Sequence, residues 1–266
     1  AKKEVFAIIN GDDPWSAKLQ VADRANVWTY GEEGCGSVRA HFSFEMINKD
    51  FNGTHFRLHH PQGVSEVNIP LIGRHNVYNA TAAFAVGMAA GATPETCQKG
   101  LAQLKAIPGR MEKVVTGNKN FHVFVDYAHT DDALRTVLKL LDEVRKANRL
   151  PSQRLSGSRS RIITVFGCGG ERDKGKRSLM AQAAQEHSDL VIITSDNPRN
   201  EEPEAIIKDI IAGLSASVFK HQVRVEVDRK KAIHLALNEA KKDDVVLIAG
   251  KGHENYQIIK DQRLEF

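Results

Sequence analysis

The chain has 266 residues, 41% of them hydrophobic and 26% charged, with a formal net charge of +4. This composition is ordinary for a globular protein and leaves room for about two domains. The basic residues are scattered, which argues against a nucleic-acid groove. Three widely spaced cysteines predict neither a disulfide framework nor a metal site and favour the cytoplasm. No apolar run is long enough to span a membrane.

The first 108 residues are predicted to form a domain of mixed strands and helices. Apolar and polar residues alternate, as in half-buried strands, in "VRAHFSFEMI" (38–47), "HFRLHH" (55–60) and "VSEVNIPLI" (64–72). Two helices are predicted next, over 75–92 and 93–104, the second with Thr93 as its cap and Pro94 at its first position. The turn "AIPGR" marks the domain boundary, so the second domain covers 109–266.

Residues 109–266 alternate apolar strands with amphipathic helices. This pattern predicts a Rossmann-like α/β domain with a mostly parallel sheet that is covered on both faces. The predicted strands are 121–127, 161–167, 189–195, 222–227 and 244–250.

Five segments dense in charge, glycine and histidine directly follow these strands. They are "DYAHTDD" (126–132), "GCGGERDKGKR" (167–177), "SDNPRN" (195–200), "DRKK" (228–231) and "GKGHENY" (250–256). Each by itself could be a helix-capping loop, since Asp, Asn and Gly are capping residues. Ligands of such sheets bind beyond the carboxyl ends of the strands, so five segments at one edge predict a site.

The second of these segments looks like a phosphate-binding loop. Gly170, four further residues, Gly175 and Lys176 match the start of that motif, but Arg177 stands where a magnesium-binding Ser or Thr belongs. The segment also follows the second strand of its sheet rather than the first. We therefore predict that the glycines allow a tight turn at the carboxyl edge of the sheet and that Lys174, Lys176 and Arg177 make this edge positive.

Several motifs together resemble the Mur ligase family. "DYAHTDDAL", "GCGGERDKGKR", "SDNPRNEEP" and "AGKGHENYQ" resemble its C-terminal domain, while "NGDDP", "GRHNVYNATAA" and "PGRME" resemble the second half of its central domain. The resemblance covers essentially the whole chain. It implies an ATP-dependent amide-bond ligase that uses Mg²⁺ and forms an acyl-phosphate in peptidoglycan synthesis. Its partners would be a UDP-linked muramoyl dipeptide and meso-diaminopimelate, and it would act as a monomer without nucleic acid or membrane insertion.

The resemblance implies a set of residues for each ligand. Those for diaminopimelate are Arg177, Asp196, Asn197, Pro198, Arg199, Gly250 and Glu254. Arginine suits the free carboxylate of this amino acid and an acid suits its ammonium. "DNPR" accompanies diaminopimelate rather than lysine in the family, because lysine lacks the second carboxylate. Alternatively, Arg199 pairs with Glu201 or Glu202 on the surface.

For ATP, the implied residues are Asn76, Asn79, Arg110, Asp126 and His129. "AKKEVF" resembles the family segment whose lysine is carbamylated to place Mg²⁺, which makes Lys2 the catalytic and metal-site candidate, although it could be a surface lysine.

The family's N-terminal domain and phosphate loop are expected upstream of residue 1. A second reading is therefore that this chain alone is an inactive diaminopimelate-binding module. A dehydrogenase is disfavoured, because no G-x-G-x-x-G follows the first strand of the sheet.

Overall fold

The computed structural model describes residues 4–35, 40–117, 119–148, 159–217 and 222–265. The chain divides into two compact units, residues 1–105 and 106–266. None of the described helices has the length and apolar character needed to cross a membrane.

Unit 1, residues 1–105, contains one sheet and two helices among its described residues. The sheet has the order β1-β2-β3-β4-β5, with β1 to β3 parallel and β3 to β5 antiparallel. Its strands are Val5–Asn10, Ala25–Glu32, Phe42–Asp50, Gly53–His60 and Gly63–Ile69. The helices are α1 (Arg74–Ala89) and α2 (Pro94–Ala102), and a short 3-10 helix covers Ser16–Lys18.

The core of unit 1 follows the two-residue period of its strands. Phe42 and Phe44 on β3 and Phe56 and Leu58 on β4 are fully buried, and they form one cluster with Phe84 of α1. The predicted strands and helices therefore exist with shifted ends. β1 and β2 were not predicted.

Unit 2, residues 106–266, contains a six-stranded sheet of order β10-β9-β8-β11-β7-β6. All its neighbouring strands are parallel except β6 and β7. The strands are β6 (Glu112–Val114), β7 (His122–Asp126), β8 (Ile162–Phe166), β9 (Leu190–Ile193), β10 (Val223–Val225) and β11 (Val245–Ala249). The helices are α3 (Asp131–Ala147), α4 (Gly175–His187), α5 (Pro203–Ile211) and α6 (Arg229–Glu239).

Both faces of this sheet are covered. Ile163 and Val165 of β8 pack in one cluster with Ala232 of α6. Ile162 and Phe166 of the same strand are also fully buried, and successive side chains of a strand point to opposite faces. The α/β fold with a mostly parallel sheet is thus confirmed.

A C-terminal hairpin, β12 (Tyr256–Ile259) and β13 (Gln262–Glu265), follows the sheet. Its first strand forms an isolated β-bridge between Ile259 and Arg199. Arg199 lies in the segment after β9, so the hairpin fastens that segment at the carboxyl edge of the sheet.

Candidate functional site

A cavity of about 440 Å³ lies in unit 2 at the carboxyl edge of the parallel strands. Four of the five predicted segments contribute to it, those after β7, β8, β9 and β11. The lining residues are Tyr127, His129, Gly167, Cys168, Gly169, Arg172, Lys176, Asp196, Asn197, Arg199, Gly250, Glu254, Tyr256 and Ile258. The fifth segment, 228–231, is absent from this wall.

Two arginines approach each other over Gly169 in the cavity wall. A Cβ atom on Gly169 would lie 3.1 Å from Nη1 of Arg199 and 3.6 Å from Cγ of Arg172. Nη1 of Arg199 donates to the carbonyl of Gly170 at 2.8 Å, which fixes the guanidinium. Arg172 was not predicted, although it lies inside a predicted segment.

Carboxylates and an amide form another part of the wall. Nδ2 of Asn197 lies 3.5 Å from Oε2 of Glu254. Gly250 has a φ of +109°, and a Cβ atom there would lie 2.9 Å from Oδ2 of Asp196. Only glycine combines this backbone conformation with the close approach of the Asp196 carboxylate.

The prediction that Arg177 binds a substrate carboxylate is wrong. Its side chain is only 1% exposed, and its two terminal nitrogens each donate to Glu201 at 2.9 Å. Nη1 also donates to Asp209 at 2.8 Å. This guanidinium therefore binds carboxylates of the protein itself.

The partner of Arg177 joins two segments of the site. Glu201 accepts the bidentate contact from Arg177 and also the backbone N–H of Glu171 at 2.5 Å. The hydrogen bond from Arg177 lowers the pKa of Glu201 to about 2. Glu201 is thus paired with Arg177, and Arg199 remains in the cavity wall instead of pairing with Glu201.

Pro198 was also predicted to contact substrate, but it does not line the cavity. Its carbonyl faces Gly170 so closely that a Cβ atom there would lie 1.9 Å from the oxygen. Pro198 therefore packs against the backbone at Gly170 and does not contribute to the cavity wall.

Three residues predicted for ATP lie in unit 2. The Asp126 carboxylate is buried and accepts the backbone N–H groups of Met111 at 2.7 Å and Ala128 at 2.8 Å. The guanidinium of Arg110 lies 5.2 Å from the ring centroid of Tyr127. His129 lines the cavity, and its carbonyl accepts a hydrogen bond from Lys176 at 2.9 Å.

The other two lie on α1 in unit 1. Asn76 is buried and donates from Nδ2 to the carbonyl of Ile72 at 2.9 Å, whereas Asn79 is exposed. The nucleotide roles of all five residues stay predictions. Lys2 lies outside the described residues.

A magnesium site needs oxygen ligands that converge on one point. Within the part of the chain that the structure describes, no three His, Cys, Asp or Glu side chains are so arranged.

Sequence reasoning also missed Tyr127, Tyr256 and Lys251. The two tyrosines line the cavity, and the lysine is buried beside Glu254. Lys251 and Tyr127 lie in predicted segments, whereas Tyr256 ends one of them and starts β12. Nothing in the sequence marks which of these side chains face inward.

Comparison with known proteins agrees with this architecture. Residues 1–87 match the Mur ligase middle domain, and residues 109–252 match the glutamate ligase domain of Mur ligases. The second match alone spans more than half of the chain. The chain belongs to the Mur ligase family.

Curated relatives are named UDP-N-acetylmuramoyl-L-alanyl-D-glutamate–2,6-diaminopimelate ligase. Those of Syntrophomonas wolfei and Geobacillus kaustophilus are 42% and 43% identical over 265 residues, which is 100% of this chain and 50% of each relative. A solved structure of a ligase with that name has 36% identity and a TM-score of 0.68, over 98% of this chain and 51% of that one. The chain thus spans about half the length of the curated relatives it matches.

The fold likeness extends to more distant structures. The MurF ligase of Thermotoga maritima, solved in complex with ADP, has 18% identity and a TM-score of 0.60 over 95% of this chain and 51% of that one. At this identity the likeness concerns the fold only.

Proposed function

We propose that this chain is part of an ATP-dependent ligase that adds meso-diaminopimelate to UDP-N-acetylmuramoyl-L-alanyl-D-glutamate. The observation that carries the proposal is the cavity of unit 2, where two arginines and two carboxylates surround a space of small-molecule size. The names of the curated relatives support the same reaction.

The charges of the cavity suit one end of an amino acid. Arg172 and Arg199 both line the cavity beside Gly169, and their guanidinium groups would bind a carboxylate through charge-assisted hydrogen bonds. Asp196 and Glu254 would accept hydrogen bonds from an ammonium group. Meso-diaminopimelate carries both groups at each end, so one end can bind here while the other remains to react.

The reaction requires a lone pair on the amine that reacts. A carboxylate is a poor electrophile, so the dipeptide carboxylate is first converted into an acyl-phosphate by transfer of a phosphoryl group from ATP. The deprotonated amine then attacks the acyl carbon, the amide bond forms, and phosphate leaves. The contribution of unit 2 is to hold the amino acid so that its reacting amine is oriented, which converts an encounter in solution into a positioned attack.

ATP and Mg²⁺ belong to this proposal. Asn76, Asn79, Arg110, Asp126 and His129 are the residues proposed to contact the nucleotide. Lys2 is proposed as the lysine whose carbamate would help to hold Mg²⁺. When bound, Mg²⁺ would neutralise phosphate charge during phosphoryl transfer.

Calorimetric titration of the 266-residue chain with meso-diaminopimelate and with L-lysine tests the substrate assignment. When the reacting amine of lysine is placed as that of diaminopimelate, the other end of lysine has no carboxylate and leaves the arginines without a partner, so we expect weaker binding in this orientation by about 10–100-fold. Arg199→Met should remove most of this preference, whereas Lys208→Met, an exposed charge change on α5, should not. Equal affinity for the two amino acids would contradict the proposal.

A further inference from the structure

A buried lysine lies behind the cavity wall and contacts three of its polar groups. Lys251 follows Gly250 after β11 and is only 2% exposed. Its Nζ lies 2.6 Å from Oδ1 of Asn197, 3.3 Å from Oε2 of Glu254 and 3.7 Å from Oδ1 of Asp196. Lysine is almost never fully buried unless it is paired, so these contacts compensate the cost of burial.

The first contact fixes the orientation of the Asn197 amide. Oδ1 of Asn197 accepts from Lys251 and also from the backbone N–H of Ile258 at 2.8 Å. Both neighbours are donors only. If the amide were reversed, its own NH₂ group would face two donors, so only one orientation is compatible with these partners.

The consequence is that Asn197 directs its NH₂ group towards Glu254 and the cavity. Nδ2 of Asn197 lies 3.5 Å from Oε2 of Glu254, and both residues line the cavity. The same Oε2 atom accepts from Lys251, which holds that carboxylate in place. The Lys251 ammonium therefore orients the Asn197 amide, which is a donor, and the Glu254 carboxylate, which is an acceptor. These two residues lie in the segments that follow β9 and β11.

A second buried cation balances the carboxylates of this cluster. Arg229, on the first turn of α6, is 1% exposed and donates to the carbonyl of Ala249 at 2.9 Å. The charges of Arg229 and Lys251 together match those of Asp196 and Glu254. Asp196 and Glu254 are therefore partly neutralised by cations of the protein itself.

We propose that Lys251 is a positioning residue of the amino-acid site. Its ammonium orients the Asn197 amide and the Glu254 carboxylate for the substrate. This inference rests on the proposed function, because it concerns the same cavity.

The experiment is a double-mutant cycle on the 266-residue chain, with calorimetric binding of meso-diaminopimelate as the measurement. Lys251→Met removes the ammonium at similar length, and we expect binding to weaken by about 10–100-fold. In the Asn197→Leu background the same change should have a smaller effect, because Asn197, one of the two residues through which Lys251 acts, is already gone and only the contact with Glu254 remains to be lost. Lys208→Met is the matched control for loss of a lysine and should bind as the unmodified chain does.

Asn197→Asp is a second variant that keeps the fold testable. It preserves an oxygen acceptor for Lys251 and Ile258, and it replaces the outward NH₂ group with a second carboxylate oxygen that carries negative charge beside Glu254. We expect it to keep its far-UV circular dichroism spectrum and to lose about 10-fold or more in affinity. If Lys251→Met fails to fold, the affinity of Asn197→Asp for meso-diaminopimelate tests the positioning role instead.

The possible results distinguish a failure of the proposed function from a failure of the positioning role of Lys251 alone. No binding of diaminopimelate by the unmodified chain would overturn the proposed function and the positioning role with it. Binding by the unmodified chain that changes less than about twofold in folded Lys251→Met or in Asn197→Asp would overturn only the positioning role. Equal losses from Lys251→Met in both backgrounds would show that Lys251 does not act through Asn197.

Discussion

Glu201→Gln tests what the buried ion pair of Arg177 contributes. The substitution keeps the size of the side chain and its ability to accept a hydrogen bond, and it removes the charge. Arg177, 1% exposed, would then keep one carboxylate partner, Asp209 at 2.8 Å. The buried cation would then keep only the more exposed of its two carboxylate partners, which makes a single contact with it.

The expected loss of stability follows from this geometry. Removing one partner of a buried ion pair costs about 3–5 kcal/mol when the other charge is left uncompensated. Asp209 still compensates part of the charge, and the Glu201 side chain is 20% exposed, so we expect about 2–3 kcal/mol. For a unit the size of residues 106–266 this corresponds to a melting temperature lower by about 5–10 °C.

Thermal unfolding followed by far-UV circular dichroism at pH 7 measures the effect. Hydrogen exchange should show lost protection in segments 169–177 and 199–201, because Glu201 joins them. Asp209→Asn is the matched control, since this side chain is 48% exposed and should contribute less than about 1 kcal/mol. If both variants melt within about 2 °C of the unmodified chain, the pair does not stabilise this edge of the sheet and our reasoning fails.

The remaining predictions concern the cavity and acid stability. Arg172→Met should weaken calorimetric binding of meso-diaminopimelate by about 10–100-fold and binding of lysine much less; equal losses would make Arg172 structural. Gly250→Ala, which places a Cβ atom 2.9 Å from Asp196 at a φ of +109°, should lower stability in urea by about 1–3 kcal/mol. The pKa of Glu201 in the folded state is about 2, below its ordinary value of 4.5. The stability that the ionised carboxylate contributes is therefore fully present above pH 4.5 and is lost as the pH falls towards 2. The gap in melting temperature between the unmodified chain and Glu201→Gln should therefore close from pH 5 to pH 2, and a constant gap would contradict that pKa.

The parallel sheet was predictable because its strands are buried on both faces. Such strands appear in the sequence as continuous apolar runs, for example "RIITVFG" before Cys168. β2 gave a weaker signal, since its residues are mostly exposed or only partly buried and it mixes aromatic with polar side chains. β1, "VFAIIN", is mostly apolar, and its short run near the start of the chain was not recognised as a strand. β6 has three residues, too few for a period to be visible.

The location of the cavity could be predicted from the sequence, but the residues that line it could be predicted only in part. The rule for the carboxyl ends of parallel strands located four of the contributing segments. It could not distinguish Arg172 from Arg177, which lie five positions apart in one glycine-rich segment. Arg172 precedes α4, whereas Arg177 lies in the first turn of that helix and meets Glu201 and Asp209. The difference depends on partners more than 20 positions away in the sequence.

Lys251 was missed for a similar reason. A lysine is expected to be exposed. The burial of Lys251 depends on its contact with Asn197, which lies 54 positions earlier in the chain. Sequence-local reasoning therefore finds residues that follow a strand and loses those whose role is set by a distant partner.

These contacts between segments that are distant in the sequence hold irregular backbone in a single conformation. Arg199 has a φ of +51°, a left-handed value that costs a non-glycine residue free energy unless its surroundings impose it. The C-terminal hairpin imposes it through two hydrogen bonds, from Arg199 N–H to the Ile258 carbonyl at 3.0 Å and from Lys260 N–H to the Arg199 carbonyl at 2.8 Å. Ile258 also donates to Asn197, so the hairpin, Arg199 and the Lys251 contact form one connected structure. A cavity wall fixed in this way loses little conformational entropy when a ligand binds, which would favour binding of the amino acid that we propose as substrate.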